Sequence, residues 1–153
     1  MSINKVIAIF IVILLIFTAI VVFQFNQKGG KNSKSAKVTI NGISFSSVVV
    51  KTPQDLETGL SKNNSLPQDQ GMLFVFDQPA FQSFWTRNMK FPIDIIFING
   101  NKIVSSVENA QPLAPDQNSP LYTSEQPADK VLEINAGLIK KYDFINGDTV
   151  TIE

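Results

Sequence analysis

Residues 93–107 read IDIIFINGNKIVSSV. Successive side chains of an extended chain alternate, so Ile93, Ile95 and Phe97 fall on one face and Asp94, Ile96 and Ile98 on the other. The apolar run stops at Asn99-Gly100 and resumes from Lys102. That is the pattern of two antiparallel strands joined by a tight turn, where positive backbone torsions favour Asn and Gly. An acid among isoleucines is partly buried and must be paired, hydrogen-bonded or protonated.

The same signal recurs on both sides of this hairpin. Asn41-Gly42 separates Val38-Thr39-Ile40 from Ile43-Ser44-Phe45, and Asn146-Gly147 leads into a last strand at 149–152. Residues 72–76, 84–86 and 131–134 are further strand candidates. Thr52-Pro53-Gln54-Asp55 has the N-cap, first-turn proline and acid of a helix start, with Leu56 and Leu60 on one face. A second short helix is expected over 136–142, with Lys140 and Lys141 in its last turn. Residues 109–129 hold four prolines and read as one long loop. Phe74, Phe76, Ile95, Phe97, Leu132, Ile134 and Val150 are expected to meet in one core. The expected domain, residues 37–153, is therefore mostly β, a compact antiparallel sandwich or barrel with one or two short helices.

The amino-terminal part has a different character. Residues 6–23 read VIAIFIVILLIFTAIVVF. As a helix this run would be about 27 Å long, close to a hydrocarbon core of about 30 Å. We read residues 1–25 as a single transmembrane anchor. The apolar run is longer than that of a signal peptide, and Gln24-Phe25-Asn26-Gln27 offers no small-residue cleavage site, although a cleaved signal sequence is the competing reading. Residues 26–36, NQKGGKNSKSA, form a flexible polar linker. The lysines after the apolar run favour a cytoplasmic domain by the positive-inside rule. A short amino tail before one long apolar run is the layout of an export signal, and an extracytoplasmic domain at the cell envelope is the reading adopted.

Composition narrows the chemistry. The chain has 153 residues, 13 basic and 13 acidic, with no Cys and no His. Disulfides, thiolate nucleophiles, Ser-His-Asp triads and Cys or His metal sites are excluded. Residues 1–51 carry six basic and no acidic side chains, whereas residues 52–153 carry seven basic and thirteen acidic ones. A mildly acidic domain argues against a nucleic-acid partner. Asp116, Asn118 and Ser119 bear oxygen ligands but lack the spacing of a calcium loop, so no metal or other cofactor is expected.

In order, the blocks Thr52-Pro53, Glu57-Thr58-Gly59-Leu60, Gly71-Met72-Leu73-Phe74-Val75-Phe76, Phe84-Trp85-Thr86-Arg87-Asn88-Met89, Pro92-Ile93-Asp94-Ile95-Ile96-Phe97-Ile98, Val131-Leu132-Glu133-Ile134-Asn135-Ala136-Gly137 and Gly147-Asp148-Thr149-Val150 resemble the prokaryotic family called domain of unknown function 192. The resemblance covers nearly the whole globular part. It implies a jelly-roll-like antiparallel β fold, often carried behind an export signal, and no activity. Ser61 and Thr86 stand where the family commonly has Met, and Met89 where it usually has Thr, which counts against a methionine-lined pocket.

The residues singled out for binding are Trp85, Arg87, Asn88, Asp94, Tyr122 and Glu133. No catalytic residue is assigned. One reading is structural: Arg87, the only arginine, pairs with Asp94 or Glu133, helped by Asn88. A second is a ligand pocket in which Trp85 or Tyr122 stacks on an apolar face while Arg87, Asn88, Asp94 and Glu133 bond polar groups. A third is a hydrolase using Asp94 and Glu133, which needs the two carboxylates about 5–5.5 Å or 6.5–9.5 Å apart across an open cleft. Glu57 and Asp148 read as a surface acid and a turn residue. The expected function is a membrane-tethered, non-enzymatic module that binds a ligand or partner, such as a carbohydrate or an envelope protein. A scaffold docking through residues 109–129 is the remaining alternative.

Overall fold

A computed structural model describes residues 34–113 and 121–153. Residues 1–25, the expected anchor, lie outside the described residues, as do most of the linker and the cluster Asp116, Asn118, Ser119. Among the described residues no helix is long and apolar enough to cross a membrane.

The described chain forms β1 (Ser35–Ile40), β2 (Ile43–Val50), α1 (Pro53–Thr58), β3 (Gln70–Ala80), β4 (Ser83–Phe84), β5 (Ile93–Asn99), β6 (Lys102–Ala110), β7 (Tyr122–Thr123), β8 (Ala128–Asn135), α2 (Leu138–Tyr142) and β9 (Val150–Ile152). The mostly β expectation holds, with two short helices near the expected places. The expected sandwich or barrel takes the form of one seven-stranded sheet, ordered β6-β5-β8-β3-β2-β1-β9, beside a small β4-β7 ribbon. The two ends of the large sheet approach each other. Lys102 bridges Thr149, the Ile103 N–H donates to the Asp148 carbonyl at 3.1 Å, and the Val150 N–H donates to the Asn101 carbonyl at 2.9 Å. The sheet is thus curled into a half-barrel.

Not every pairing is antiparallel. β2 runs parallel to β3, because the stretch containing α1 carries the chain back to start β3 beside β2, as a parallel crossover requires. The turns follow local chemistry. Asn41 and Gly42 both have positive φ, 48° and 82°, the torsions of a two-residue hairpin turn. In the second hairpin Asn99 is the last strand residue, and the two-residue turn is Gly100-Asn101, with Gly100 at φ 59°. Asp148 serves its turn as expected, its Oδ2 accepting from the Ile145 N–H at 2.9 Å. The long loop expected at 109–129 is largely structured where it is described. β6 runs on to Ala110, β7 pairs with β4, and β8 opens at Ala128. Prolines 112 and 127 flank these strands rather than interrupt them.

The expected single core is two. β5 is buried on both faces from Ile93 to Ile98, so its alternating side chains enter different clusters. Ile96 and Ile98 join Leu73, Leu132, Ile134, Ile103 and Val150. Ile95 and Phe97 join Phe74 and Val131, with Phe76 and Phe84 packed at the margin. Ile103 from β6 and Val150 from β9 share the first cluster, so the sheet curls around that side. The second cluster lies on the other face, covered by Leu60, Leu66 and the β4-β7 ribbon.

Candidate functional site

β8 lies between β5 and β3, and cross-strand partners share a face. Glu133 is opposite Met72 on β3 and Ile95 on β5, which puts its carboxyl on the second, α1-covered face. Glu133 is only 4% exposed, and its Oε2 has no hydrogen-bond partner. Burial disfavours the charged form and pushes its pKa from 4.5 to about 8. At neutral pH this side chain is therefore mainly a carboxylic acid.

Glu133 lies against a cleft of about 330 Å³. One wall runs from Leu56 through Gly59 to Ser61, at the end of α1. The other carries Phe74 and Phe76 from β3, Phe84 from β4, and Trp85, Arg87 and Met89 from the segment after it, with Leu121 completing the lining. Gly59, at φ 47°, overlooks the acid: a Cβ there would lie 3.9 Å from Glu133 Oε2 and 3.7 Å from Phe74 Cζ. A side chain at this position would enter the cleft.

The segment after β4 alternates sharply. Trp85 is 45% exposed, whereas the next residue, Thr86, is buried and donates from Oγ1 to the Gln111 carbonyl at 2.7 Å. Arg87 then turns outward, its guanidinium carbon 5.2 Å from the Trp85 ring centroid. This cation–π contact sits where solvent weakens it. Asn88 adopts φ 61°, which Asn tolerates better than most residues.

Three of the six residues singled out from sequence line one cleft: Trp85, Arg87 and Glu133. Asn88 forms the turn instead. Tyr122 pairs with Phe84 across the β4-β7 ribbon and packs against the second cluster, outside the cleft lining. Asp94 is fully buried on the opposite face of the sheet, with Ile134 as its cross-strand partner. Its Oδ1 accepts from the Asn109 N–H and its Oδ2 from the Ile139 N–H, both at 2.8 Å. The expected Arg87 pairing with Asp94 or Glu133 is absent: among the described residues the ion pairs are Lys37–Glu153 and Lys130–Asp129. The carboxylate pair of the hydrolase reading is not assembled either, because Asp94 and Glu133 open on different faces and Asp94 is sealed. Sequence reading missed the α1 wall and Leu121, whose approach depends on tertiary packing. Glu57, read as a surface acid, is exposed at that wall. Met89 lines the cleft although it departs from the family pattern.

Other polar lining groups are already engaged. Ser61 Oγ donates to the Thr58 carbonyl at 2.6 Å, Gln82 Nε2 donates to the Ala128 carbonyl at 3.1 Å, and the Ser83 and Thr123 hydroxyls are 3.0 Å apart. Thr58 is engaged as well. Among the described residues no group of three acidic side chains gathers as a metal site.

These features define a small curled-sheet domain with an aromatic cleft against an unpartnered buried acid. The chain belongs to the family of uncharacterised proteins called domain of unknown function 192, described as "Uncharacterized ACR", whose model matches residues 36–152. A protein of unknown function from Novosphingobium aromaticivorans is similar at 29% identity, with a TM-score of 0.68 over 76% of this chain and 83% of that one. A Sinorhizobium meliloti protein provisionally named a transcription regulator is similar at 26% identity, with a TM-score of 0.69 over 77% of this chain and 92% of that one. No functionally curated protein matches the chain.

Proposed function

We propose that the protein is a membrane-tethered, non-enzymatic module that holds a small, largely apolar ligand in the cleft above Glu133. The observation that carries this reading is the unpartnered Oε2 of a buried acid facing an aromatic-lined space of about 330 Å³, the lower part of the usual range for small-molecule sites. Burying a polar atom without a partner is costly, and a bound ligand would supply the missing bond. A catalytic role has less support, because the second acid in the lining, Glu57, is exposed, and the Ser61 and Ser83 hydroxyls are already hydrogen-bonded within the protein.

A carbohydrate fits less well than the sequence suggested. Sugars need many polar contacts, and Ser61, Gln82 and Ser83 already bond to protein. The apolar run at 6–23 supports an anchor, and the short amino tail before it supports a domain on the extracytoplasmic side. The acidic balance of residues 52–153 speaks against nucleic acid, notwithstanding the name given to the Sinorhizobium protein.

Trp85 is the only tryptophan and lies in the cleft lining, so it reports directly on occupancy. A fragment screen on the full-length chain in nanodiscs, read by the Trp85 indole resonance, is expected to find ligands that shift it saturably. A screen whose hits all leave Trp85 unmoved overturns the reading. Protease treatment of intact cells tests the placement: digestion of the domain supports it, and protection until lysis refutes it.

A further inference from the structure

We infer that the cleft selects ligands carrying a primary ammonium group on a flat apolar body, with the ammonium seated on Glu133 Oε2 and the body held among the aromatic side chains. The inference rests on the ligand-binding reading and names the chemistry of its occupant.

Three observations converge on a cation. Glu133 is enclosed, yet no Lys or Arg among the described residues forms an ion pair with it. Arg87 lines the same cleft, but its guanidinium lies over Trp85 at the exposed mouth. The walls are Phe74, Phe76, Phe84 and Trp85, whose electron-rich faces favour a positive group once water is removed. Among the described residues, Glu133 Oε2 is the buried side-chain polar atom of this lining that has no partner, and several apolar surfaces surround it. One cationic head on an apolar body uses both.

Glu57 and Arg87, the other charged side chains in the lining, are exposed. They are screened by solvent and act on the ammonium weakly. A ligand anion is disfavoured at the floor, where it would meet the acid. A neutral hydroxyl could bond the acid but would gain nothing from its ionisation. An entering ammonium favours the ionised form, so the Glu133 proton passes to solvent and an ammonium–carboxylate pair remains. The apolar surroundings hold that carboxyl protonated up to about pH 8 in the empty cleft. Binding at pH 7 should therefore release close to one proton, a signature that apolar contact alone cannot produce.

The test uses the full-length chain in nanodiscs with benzylammonium, benzyl alcohol and phenylacetate as probes. Occupancy is followed by protection of Trp85 from a fluorescence quencher, and proton release by calorimetry in buffers of different ionisation heat. Benzylammonium is expected to bind at least tenfold tighter than either comparator and to release about one proton at pH 7. Glu133→Gln should erase both the preference and the release while leaving weak apolar binding. Equal protection by benzylammonium and benzyl alcohol, without proton release, overturns the ammonium inference and leaves the cleft-binding reading standing. If no probe protects Trp85 while the fragment screen finds other cleft ligands, the ammonium inference alone falls. If the screen fails as well, both fall.

Discussion

Asp94 and Glu133 stand one register step apart on neighbouring strands, and they open on opposite faces of the sheet. Asp94 is paired with Ile134, and Glu133 with Ile95. The two buried acids have opposite surroundings. Asp94 accepts two backbone N–H bonds at 2.8 Å, whereas Glu133 Oε2 accepts none. One acid is fully used by the fold and the other is left available.

Asp94 ties the far end of β6 and the start of α2 to β5. Asp94→Ala would leave two backbone donors without acceptors, at a cost of roughly 3–5 kcal/mol. Asp94→Asn keeps one acceptor oxygen but turns an NH2 towards the other N–H, so about half that loss is expected. Urea unfolding measures both values. If either variant retains full stability, the assignment of Asp94 as an internal tie is wrong.

Glu133 predicts a pH dependence of the opposite sign to that of a paired carboxylate. In the unfolded chain it ionises near 4.5, but in the folded chain near 8. Between these values the folded state holds the extra proton, so stability falls as pH rises and levels off above about 8. The full span is worth roughly 4–5 kcal/mol. Glu133→Gln cannot ionise and should remove this decline, becoming more stable than the parent at pH 8.5. Parallel stability curves from pH 4 to 9 for the two proteins would refute it.

Phe84 and Trp85 are neighbours with different predicted costs. Phe84 meets Phe74 and Phe97 edge-on, with ring centroids 5.0 and 6.2 Å away. Phe84→Ala should destabilise the domain by about 3 kcal/mol. Trp85 is 45% exposed, and Trp85→Ala should cost less than about 1 kcal/mol while weakening ligand capture. Thermal unfolding of the pair checks the ordering, and a larger loss for Trp85→Ala would contradict it.

What could be read in advance follows the range of the interactions involved. The hairpin of β5 and β6 was legible because strand alternation and turn chemistry are local. The parallel pairing of β2 with β3 was hidden, since nothing in 43–50 says which partner the chain will return to after α1. Alternation places Asp94 opposite its own strand neighbours, but the faces of Asp94 and Glu133 relative to each other depend on the β5–β8 register. That single register step separates an internal ion cluster from two unrelated acids. Trp85, Arg87 and Glu133 could be singled out by residue type, whereas the Gly59 wall that turns them into a cleft is a tertiary approach.

Gly59 offers the sharpest separation of fold from site when it is compared with Gly42. Both have positive φ, 47° and 82°, so an alanine at either position should cost on the order of 1–2 kcal/mol in backbone strain. Their surroundings differ. A Cβ at Gly42 meets nothing within 4 Å, whereas one at Gly59 reaches towards Phe74 Cζ and Glu133 Oε2. Gly59→Ala and Gly42→Ala should therefore lose comparable stability, but only Gly59→Ala should weaken cleft binding, because its methyl group takes space beside the free acid. Thermal unfolding and Trp85 quenching on the two variants supply both readouts. Equal ligand affinity in the two would mean that the occupant does not reach the floor between Gly59 and Glu133, and the site would have to be moved outward to the rim.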